Sequence, residues 1–389
     1  MWFFNSPEIV FGEGALGYLE QLKGRRAFIV TDATMRAAGH LDRVRQALQA
    51  TGFEVGVHDA VEPDPSIEAV RAGAAVLARF EPDWIVGLGG GSSLDAAKAM
   101  WVLYECPDID PAGINPIETL GLRRKSRFVA IPTTSGTGSE TTWYLVLTDT
   151  AGRRKLGLGS REAMADVAIV DPSFAMSMPP RLTADTGMDA LTHAVEGFTS
   201  QWHNDFADGL CLQAARLVFD YLPRAWRDGG DAEARLKMHN AASIAGLGFG
   251  NSLTSAAHGM GHALGAVFHV PHGRAVSLFL PYTIEFCLRG EPGSTRYVPL
   301  AHFLHLPCGD EPQAGRALAA AVRDLQARLQ QPCSISQCGI GREDFERELP
   351  LLVENASNDN ETVTSTRIPT DAEMRRLFEY AFEGRSIDF

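Results

Sequence analysis

The sequence changes character at Pro179-Pro180, and this change limits the possible folds more than any other feature. Before these prolines, short runs of β-branched and aromatic residues alternate with helical periods. Such alternation predicts a mostly parallel sheet with helices on both faces. After them, strand-like patterns nearly vanish and a 3.6-residue period dominates. Because 389 residues exceed one ordinary core, we predict an α/β domain over residues 1–181 and an all-helical domain over residues 182–389.

The predicted elements follow the chain in order. Strands are expected at 27–31, 53–58, 84–89, 127–132 and 167–171, with 143–148 and 155–159 as a pair. Helices of the first domain are expected at 36–50, 66–80 and 93–105, the second capped by Ser66. Helices of the second domain are expected at 183–199, 205–222, 231–250, 252–267, 275–289, 313–329 and 371–383. The polar segment 354–369 is predicted to be a surface loop.

Composition and charge narrow the classes of partner. The chain has 35 basic and 48 acidic residues and a net charge of −13, which disfavours nucleic acid and anionic membranes. Its six cysteines include no CxxC pair, and we expect reduced thiols in a cytoplasmic protein. The N-terminal segment lacks the pattern of a signal peptide. No apolar run reaches about 18 residues, the length that a membrane span needs.

The stretch GLGGGS at 87–92 follows a predicted strand and opens a predicted helix. Glycines let the backbone approach a phosphate, and a helix N-terminus favours an anion. The pattern is one residue short of the dinucleotide fingerprint. Asp108 and Asp110 lie at the distance expected for its ribose-binding acid, but in a Pro-flanked loop. Asp32, after strand 27–31, is better placed to bind a ribose 2′-hydroxyl and repel a 2′-phosphate, and it is equally suited to cap a helix.

A second polar turn, IPTTSGTGSE at 131–140, also follows a predicted strand. Its hydroxyls on Thr133, Thr134 and Thr137 and its two glycines suit close contact with a nucleotide. Two such turns at the strand ends of one sheet are what a dinucleotide crevice uses, although a long polar loop has the same composition. Lys155, in GRRKLGLG, is able to reach a phosphate, although a solvated lysine is the commoner role.

Two pairs of potential metal ligands have helical spacing. Asp189 and His193 lie four residues apart in GMDALTHAVEG, as do His258 and His262 in AHGMGHALGAVFHVPHG. Residues at this spacing share one helix face, and imidazole with carboxylate suits zinc or iron. Ordinary packing in the core would account for either pair by itself. Two such pairs in one domain predict instead that they bind one metal ion together. Spacing selects these residues and does not rank His262 against His272.

Four motifs together resemble the iron-dependent (group III) alcohol dehydrogenase family in their order and spacing. They are GGGSSLDAAK, IPTTSGTGSE, PPRLTADTGMDALTHAVEGF and AAHGMGHALGAVFHVPHG. The resemblance covers nearly the whole chain and weakens after about residue 290. It implies a Rossmann-like α/β nucleotide-binding domain with a mostly parallel sheet, an all-α metal-binding domain, and an active site in the cleft between them.

The resemblance also implies roles for individual residues. It matches the metal ligands to Asp189, His193, His258 and His272, so His262 becomes a pocket residue and a candidate proton relay. Asp32 matches an aspartate that is associated with NAD rather than NADP. The other cofactor-binding residues that it implies are Gly89, Gly90, Gly91, Ser92, Asp95, Thr133, Thr134, Thr137 and Lys155.

Large side chains occupy positions that the resemblance assigns to the substrate pocket. Trp143 and Tyr144 stand where similar enzymes carry varied, often smaller polar residues, and Phe249 matches a common aromatic residue. These three predict a restricted or aromatic-lined pocket, although Trp143 is equally suited to pack on the predicted β-ribbon. His269 is expected to be structural or at the surface.

These observations predict a metal-dependent alcohol dehydrogenase or aldehyde reductase. It would transfer hydride between a primary or secondary alcohol and NAD, use one divalent metal, Fe(II) or Zn(II), and form a homodimer or higher homo-oligomer. One alternative is a glycerol-dehydrogenase-like polyol enzyme with zinc. A dehydroquinate-synthase-like lyase needs a Lys and Arg cluster, and the ligand stretches offer Arg274 alone. A metal-dependent hydrolase is another alternative, but it leaves both glycine-rich turns unexplained. A non-enzymatic metal-binding protein is a further alternative, which turnover of an alcohol with NAD would exclude.

Overall fold

A computed structural model describes residues 3–389 of the chain. It divides into two compact units, the first ending at Met178 and the second beginning at Pro179. Strands dominate the centre of the first unit, and helices make up the second. The predicted fold class, an α/β N-terminal part with a mostly parallel sheet followed by a helical part, is confirmed.

The first unit is built on a parallel sheet that has six strands within residues 3–389, in the order β1-β8-β5-β4-β2-β3. The strands of this sheet are β1 (Glu8–Phe11), β2 (Arg26–Val30), β3 (Glu54–His58), β4 (Trp84–Gly89), β5 (Arg127–Pro132) and β8 (Val167–Val170). Every residue of β4 is buried, as expected for a parallel strand that is covered by helices on both faces. Strand β1 was not predicted, and none of its four residues is fully buried.

The order of the strands creates a crevice at the carboxyl ends of β2 and β4. The chain continues from β2 to β3 on one side, and from β4 to β5 on the other. Neighbouring connections that diverge in this way leave an opening where open α/β sheets bind ligands. Asp32 follows β2, and the glycine-rich turn follows β4, so both lie at this opening.

Four α-helices of the first unit lie within the described residues: α1 (Ala33–Ala37), α2 (His40–Ala50), α3 (Ile67–Phe80) and α4 (Gly91–Glu105). The single helix predicted at 36–50 is wrong, because Gly39 adopts a φ of +76° and separates α1 from α2. Ser66 caps α3 through its side chain, as predicted. The predicted hairpin is also confirmed, with β6 (Tyr144–Asp149) antiparallel to β7 (Arg154–Gly159).

The second unit consists of helices around an extensive apolar core. Its helices are α5 (Pro180–Thr199), α6 (Asp205–Arg227), α7 (Ala232–Phe249), α8 (Ala256–Phe268), α9 (His272–Cys287), α10 (Tyr297–Phe303), α11 (Glu311–Arg328), α12 (Arg342–Ser357) and α13 (Asp371–Glu383). Helices α10 and α12 were not predicted. The surface loop expected at 354–369 is wrong in part, because the segment begins inside α12 and then buries Glu361, Thr362 and Thr364. None of the helices described is long and apolar enough to cross a membrane.

Candidate functional site

One face of α5 presents acidic and imidazole side chains to the interior of the second unit. Asp189, His193 and Glu196 follow one another at intervals of four and three residues, which places them on one side of the helix. All three are buried. Helix packing rather than solvent exposure therefore fixes these polar groups, and each needs a partner there.

Helices α8 and α9 bring further histidines to this face. His258 lies in the first turn of α8, and His272 opens α9 directly after Pro271. Oδ1 of Asp189 lies 3.8 Å from Nδ1 of His193, 3.9 Å from Nε2 of His258 and 3.5 Å from Nε2 of His272. The four ligand atoms all lie within 4.8 Å of one another. The structure thus brings together Asp189, His193, His258 and His272, the ligands that the motif resemblance implied. Helical spacing alone had favoured His262 in place of His272.

The geometry of this cluster fits a divalent metal ion. Two ligands held at about 2.1 Å from a metal at the tetrahedral angle are about 3.4 Å apart, close to the separations from Asp189 Oδ1. Nε2 of His258 is buried and has no hydrogen-bond partner within the described part of the chain, which is costly unless something else satisfies it. Three imidazoles and one carboxylate suit Fe(II) or Zn(II).

Glu196 supports the metal cluster from behind His258. Its Oε2 lies 2.5 Å from Nδ1 of His258, and its Oε1 accepts a hydrogen bond of 2.8 Å from the N–H of Ala257. Burial raises the pKa of Glu196 to about 7, although backbone hydrogen bonds oppose that shift. A carboxylate on the far nitrogen of a histidine fixes its tautomer and directs the other nitrogen at a metal. Glu196 was not among the predicted site residues, although its helical spacing from Asp189 and His193 points to it.

A glycine sets the distance between α5 and α9. A Cβ on Gly273 would overlap the backbone oxygen of Asp185 and press on the Cβ of Asp189. The neighbouring Arg274 forms a bidentate ion pair with Asp185, both guanidinium contacts of its Nη2 being 2.9 Å. The backbones of the two helices therefore touch beside His272, and a strong charge pair holds them there.

His262 lies beside the metal cluster and outside it. Its ring stacks on His272 with centroids 5.3 Å apart and meets His258 edge-on at 6.0 Å. Its Nδ1 lies 2.9 Å from Oδ2 of Asp359. Burial works to raise the pKa of Asp359, but the charge and hydrogen bond of His262 hold it below its ordinary value. A histidine oriented by a buried carboxylate is an arrangement suited to proton transfer.

Asp359 and Glu361 reach this position through the short segment after α12. Glu361 accepts a hydrogen bond from the Thr254 hydroxyl, and burial raises its pKa to about 7. Thr362 donates to the carbonyl of Ala356 at 2.8 Å, and it packs against Gly259, where any Cβ would collide with its hydroxyl. Sequence reasoning missed both acids because polar composition suggested a solvated loop.

The predicted pocket residues lie in different units. Phe249, at the end of α7, stacks on His193 with ring centroids 4.0 Å apart, so it shields one side of the cluster. Trp143 packs against Tyr144 with tilted rings and centroids 4.3 Å apart. It also lies over Gly159, where a Cβ would come within 2.8 Å of the indole. Trp143 therefore packs on the hairpin, the alternative role weighed for it. His269 ends α8 in the left-handed conformation, with a φ of +56°.

The first unit places Asp32 against the glycine-rich turn. Gly89 has a φ of +147°, and a Cβ there would overlap Ser93. The Ser93 hydroxyl donates to Oδ2 of Asp32 at 2.8 Å, while Oδ1 accepts from the N–H of Thr34 and of Met35. Asp32 thus caps α1 and also contacts the first turn of α4, which follows the glycine-rich turn. In the described chain no side chain caps α4 at Gly90, so its first N–H groups are suited to an anion.

The second turn lies next to the first. The N–H of Thr133 donates to the carbonyl of Gly89 at 3.0 Å, and the Thr133 hydroxyl is buried with no hydrogen-bond partner among residues 3–389. Thr134 packs on Gly90, and Thr137 packs on Gly91. These glycines permit close contact between the two turns, which together line the crevice.

The remaining nucleotide candidates are engaged by the protein. Asp95 accepts hydrogen bonds from the Ser139 hydroxyl at 2.6 Å and from the N–H of Val146 at 2.9 Å, so it fastens α4 to the second turn and the hairpin. Ser92 accepts from the N–H of Asp64 at 3.2 Å. Lys155 is not solvated, because its Nζ lies 2.6 Å from Oδ1 of Asp64 and its side chain is 4% exposed.

Comparison with known protein families identifies the family to which the chain belongs. Residues 6–172 match the family described as iron-containing alcohol dehydrogenase, and residues 183–382 match the C-terminal part of that family. The chain belongs to the iron-containing alcohol dehydrogenase family. This membership confirms the resemblance carried by the four motifs. It makes the chain a metal-dependent alcohol dehydrogenase or aldehyde reductase that uses NAD or NADP and a divalent metal.

Individual relatives of this iron-containing dehydrogenase span its whole length. NADPH-dependent butanol dehydrogenase from Clostridium saccharobutylicum is 40% identical and covers 100% of both chains. 1-Propanol dehydrogenase PduQ from Salmonella typhimurium is 37% identical over 97% of this chain and 98% of its own. The crystal structure of a 1,3-propanediol oxidoreductase superposes with a TM-score of 0.91 at 32% identity, covering 98% of this chain and 100% of that one. The chain spans 46% of the length of aldehyde-alcohol dehydrogenase 2 from Entamoeba histolytica.

Proposed function

We propose that this iron-containing dehydrogenase interconverts a short primary or secondary alcohol and its carbonyl product with NAD as the hydride carrier. The observation that carries the proposal is the buried cluster of Asp189, His193, His258 and His272, whose ligand atoms lie within 4.8 Å of one another. A bound divalent metal supplies Lewis acidity toward the substrate oxygen, and the nicotinamide accepts or returns hydride. The protein supplies binding, orientation and proton movement.

The metal residues share these tasks. The three imidazoles and the Asp189 carboxylate would hold the ion, and Glu196 would keep the Nδ1 proton on His258 so that Nε2 faces the ion. Phe249 covers the ring of His193 and would limit the access of water. The donor set supports Fe(II) or Zn(II), and metal supply in the cell decides between them.

His262 is the residue that we assign to proton transfer. It is 3% exposed, lies next to His272 and is oriented by Asp359. An imidazole is able to accept the hydroxyl proton of an alcohol and to return it in the reverse direction. Nδ1 would stay on Asp359 while Nε2 exchanges the proton.

The dinucleotide would bind across the crevice of the first unit. The uncapped N-terminus of α4, the glycine turn and the buried Thr133 hydroxyl support a pyrophosphate subsite. Asp32 supports a preference for NAD, because its carboxylate would accept from a ribose 2′-hydroxyl and repel a 2′-phosphate. The butanol dehydrogenase relative is named as NADPH-dependent, so the assay below compares both cofactors.

The substrate we expect is a small alcohol or aldehyde. Relatives named for butanol and 1-propanol support short chains, as does the large ring of Phe249 beside His193. We also propose a cytoplasmic homodimer or higher homo-oligomer, which the prevalence of closed symmetric assemblies supports.

An absorbance assay at 340 nm tests the proposal. The protein is loaded with Fe(II) under anaerobic conditions or with Zn(II), and supplied with butanal or propanal and either NADH or NADPH. We expect turnover with at least one metal and faster turnover with NADH. Loss of turnover in Asp189→Asn would support the metal cluster, whereas full activity in that variant would overturn it.

A further inference from the structure

Lys155 and Asp64 form an ion pair beside the glycine turn of the first unit. Nζ of Lys155 lies 2.6 Å from Oδ1 of Asp64, and the side chains are 4% and 44% exposed respectively. A buried ammonium is costly without a partner, and this carboxylate supplies one. The residue that family resemblance matches to nucleotide binding is thus neutralised by an acid of the same chain.

Two hydrogen bonds hold Asp64 in place. Its N–H donates to the Ser92 hydroxyl at 3.2 Å, and its carbonyl accepts from the Thr148 hydroxyl at 3.0 Å. Asp64 has a φ of +52°, which aspartate and asparagine tolerate better than most residues. Its backbone is therefore held between the first turn of α4 and the β6–β7 hairpin, although its side chain is partly exposed.

The position of this pair gives it an electrostatic effect on the proposed phosphate subsite. The first turn of α4 contains no acidic residue, so the helix N-terminus is suited to an anion. Lys155 is connected to this turn through Asp64, which contacts both. Asp64 touches this turn through Ser92 and offsets the lysine charge. A pyrophosphate there has either to share the ammonium with Asp64 or to displace the carboxylate, and both reduce the net attraction.

We propose that Asp64 lowers the affinity of the dinucleotide site by neutralising Lys155, and so sets how readily the cofactor leaves. The proposal rests on the dinucleotide site proposed above. A site that releases its cofactor readily suits an enzyme of this kind, because product release often limits turnover. Asp64 acts here as a positioning residue through Lys155, which would contact the cofactor.

Fluorescence titration of the full-length protein with NADH tests this. Asp64→Asn retains the tolerance for positive φ and an acceptor for Lys155, and removes the charge. We expect its dissociation constant for NADH to fall about two- to fivefold. Affinity should also depend more steeply on salt concentration, because an unpaired cation now faces the phosphates. Asp64→Ser serves as a second variant with the same charge change.

Control substitutions distinguish the effect of removing a charge at the phosphate subsite from the effect of removing a charge elsewhere on the surface. Glu68→Gln removes one exposed carboxylate in the first turn of α3 and should leave NADH binding unchanged. Lys155→Met should weaken binding, and adding Asp64→Asn to it should recover part of the loss, since the exposed carboxylate no longer repels the phosphates.

The outcomes distinguish this inference from the function on which it rests. Wild-type protein that binds NADH, with Asp64→Asn and Asp64→Ser showing the same or weaker affinity and the same salt dependence, overturns the role of Asp64 alone. Wild-type protein that does not bind NADH or NADPH at all overturns the dinucleotide site and the inference together.

Discussion

Nδ1 of His258 lies 2.5 Å from Oε2 of Glu196, and Nε2 on the other side of the same ring lies 3.9 Å from Oδ1 of Asp189. The ring therefore joins a structural carboxylate to the proposed metal ligands. Removing the supporting carboxylate should weaken metal binding without removing a ligand.

We predict that Glu196→Ala lowers metal affinity about 10- to 100-fold, the usual effect of losing such a partner. Glu196→Gln should lower the metal affinity less, because its amide oxygen still accepts a hydrogen bond from Nδ1 of His258. Competition with a chelator, followed by elemental analysis, measures both. Equal metal affinity in wild-type protein and Glu196→Ala would show that His258 is oriented by packing alone.

We assign His272 to metal binding and His262 to proton transfer, and elemental analysis of two variants tests this assignment. His272→Ala should not retain stoichiometric metal after dialysis, because it removes one of four ligands. His262→Ala should retain it, because His262 lies outside the cluster. Stoichiometric metal in His272→Ala, or loss of metal in His262→Ala, would require the ligand set to be redrawn.

Asp359 should matter to turnover through His262. We expect His262→Ala to lower kcat by about 100-fold, within the range of general acid–base catalysis, and Asp359→Asn to lower it by about tenfold or more. The double variant should be little worse than His262→Ala, because residues that act as a unit are not additive. Steady-state kinetics from pH 6 to 9 measure this, and full turnover of His262→Ala over that range would end the proton-relay assignment.

Cofactor choice should depend on Asp32. Asp32→Ser keeps a side-chain cap for α1 and removes the charge, so the ratio of kcat/KM for NADP to that for NAD should rise by about tenfold or more. Asp42→Ser, an exposed site in α2, is the matched control. An unchanged ratio in Asp32→Ser would place the discrimination elsewhere in the crevice.

His40 should make the first unit sensitive to acid. Its ring is 6% exposed and packs on Phe174, and burial, with the charge of Arg43, lowers its pKa. The unfolded chain therefore binds more protons below its ordinary pKa near 6.5, and stability falls as the pH drops through that value. Denaturant midpoints at pH 7.5 and 5.5 should differ less in His40→Leu than in wild-type protein, and an equal difference would exclude His40 as the cause.

Strong periodic patterns predicted most of the fold. Strands such as 84–89 and helices such as 66–80 were recognisable because their apolar spacing and caps are local properties. Strand β1 was missed because its identity depends on pairing with β8, more than 150 residues away. The break at Gly39 depends on a backbone conformation that composition does not reveal.

The site was less predictable than the fold, because its key contacts are distant in sequence. Helical spacing favoured His262 as a ligand, whereas the structure places His272 with Asp189. The reason is that α8 ends at His269 and the chain turns back at Pro271, which returns His272 to the cluster. Asp359 and Glu361 were misplaced because burial of an acidic segment against His262 and Thr254 reverses what polarity implies.

The backbone contact at Gly273 has a consequence for engineering the enzyme. Because main-chain atoms, rather than adjustable side chains, set the gap between α5 and α9 there, no compensating mutation nearby is able to absorb a larger residue. Libraries aimed at a new substrate should therefore treat Gly273 as invariant. A search for a different metal preference should change the donor atoms, since the spacing between the two helices has almost no freedom to follow a larger ion.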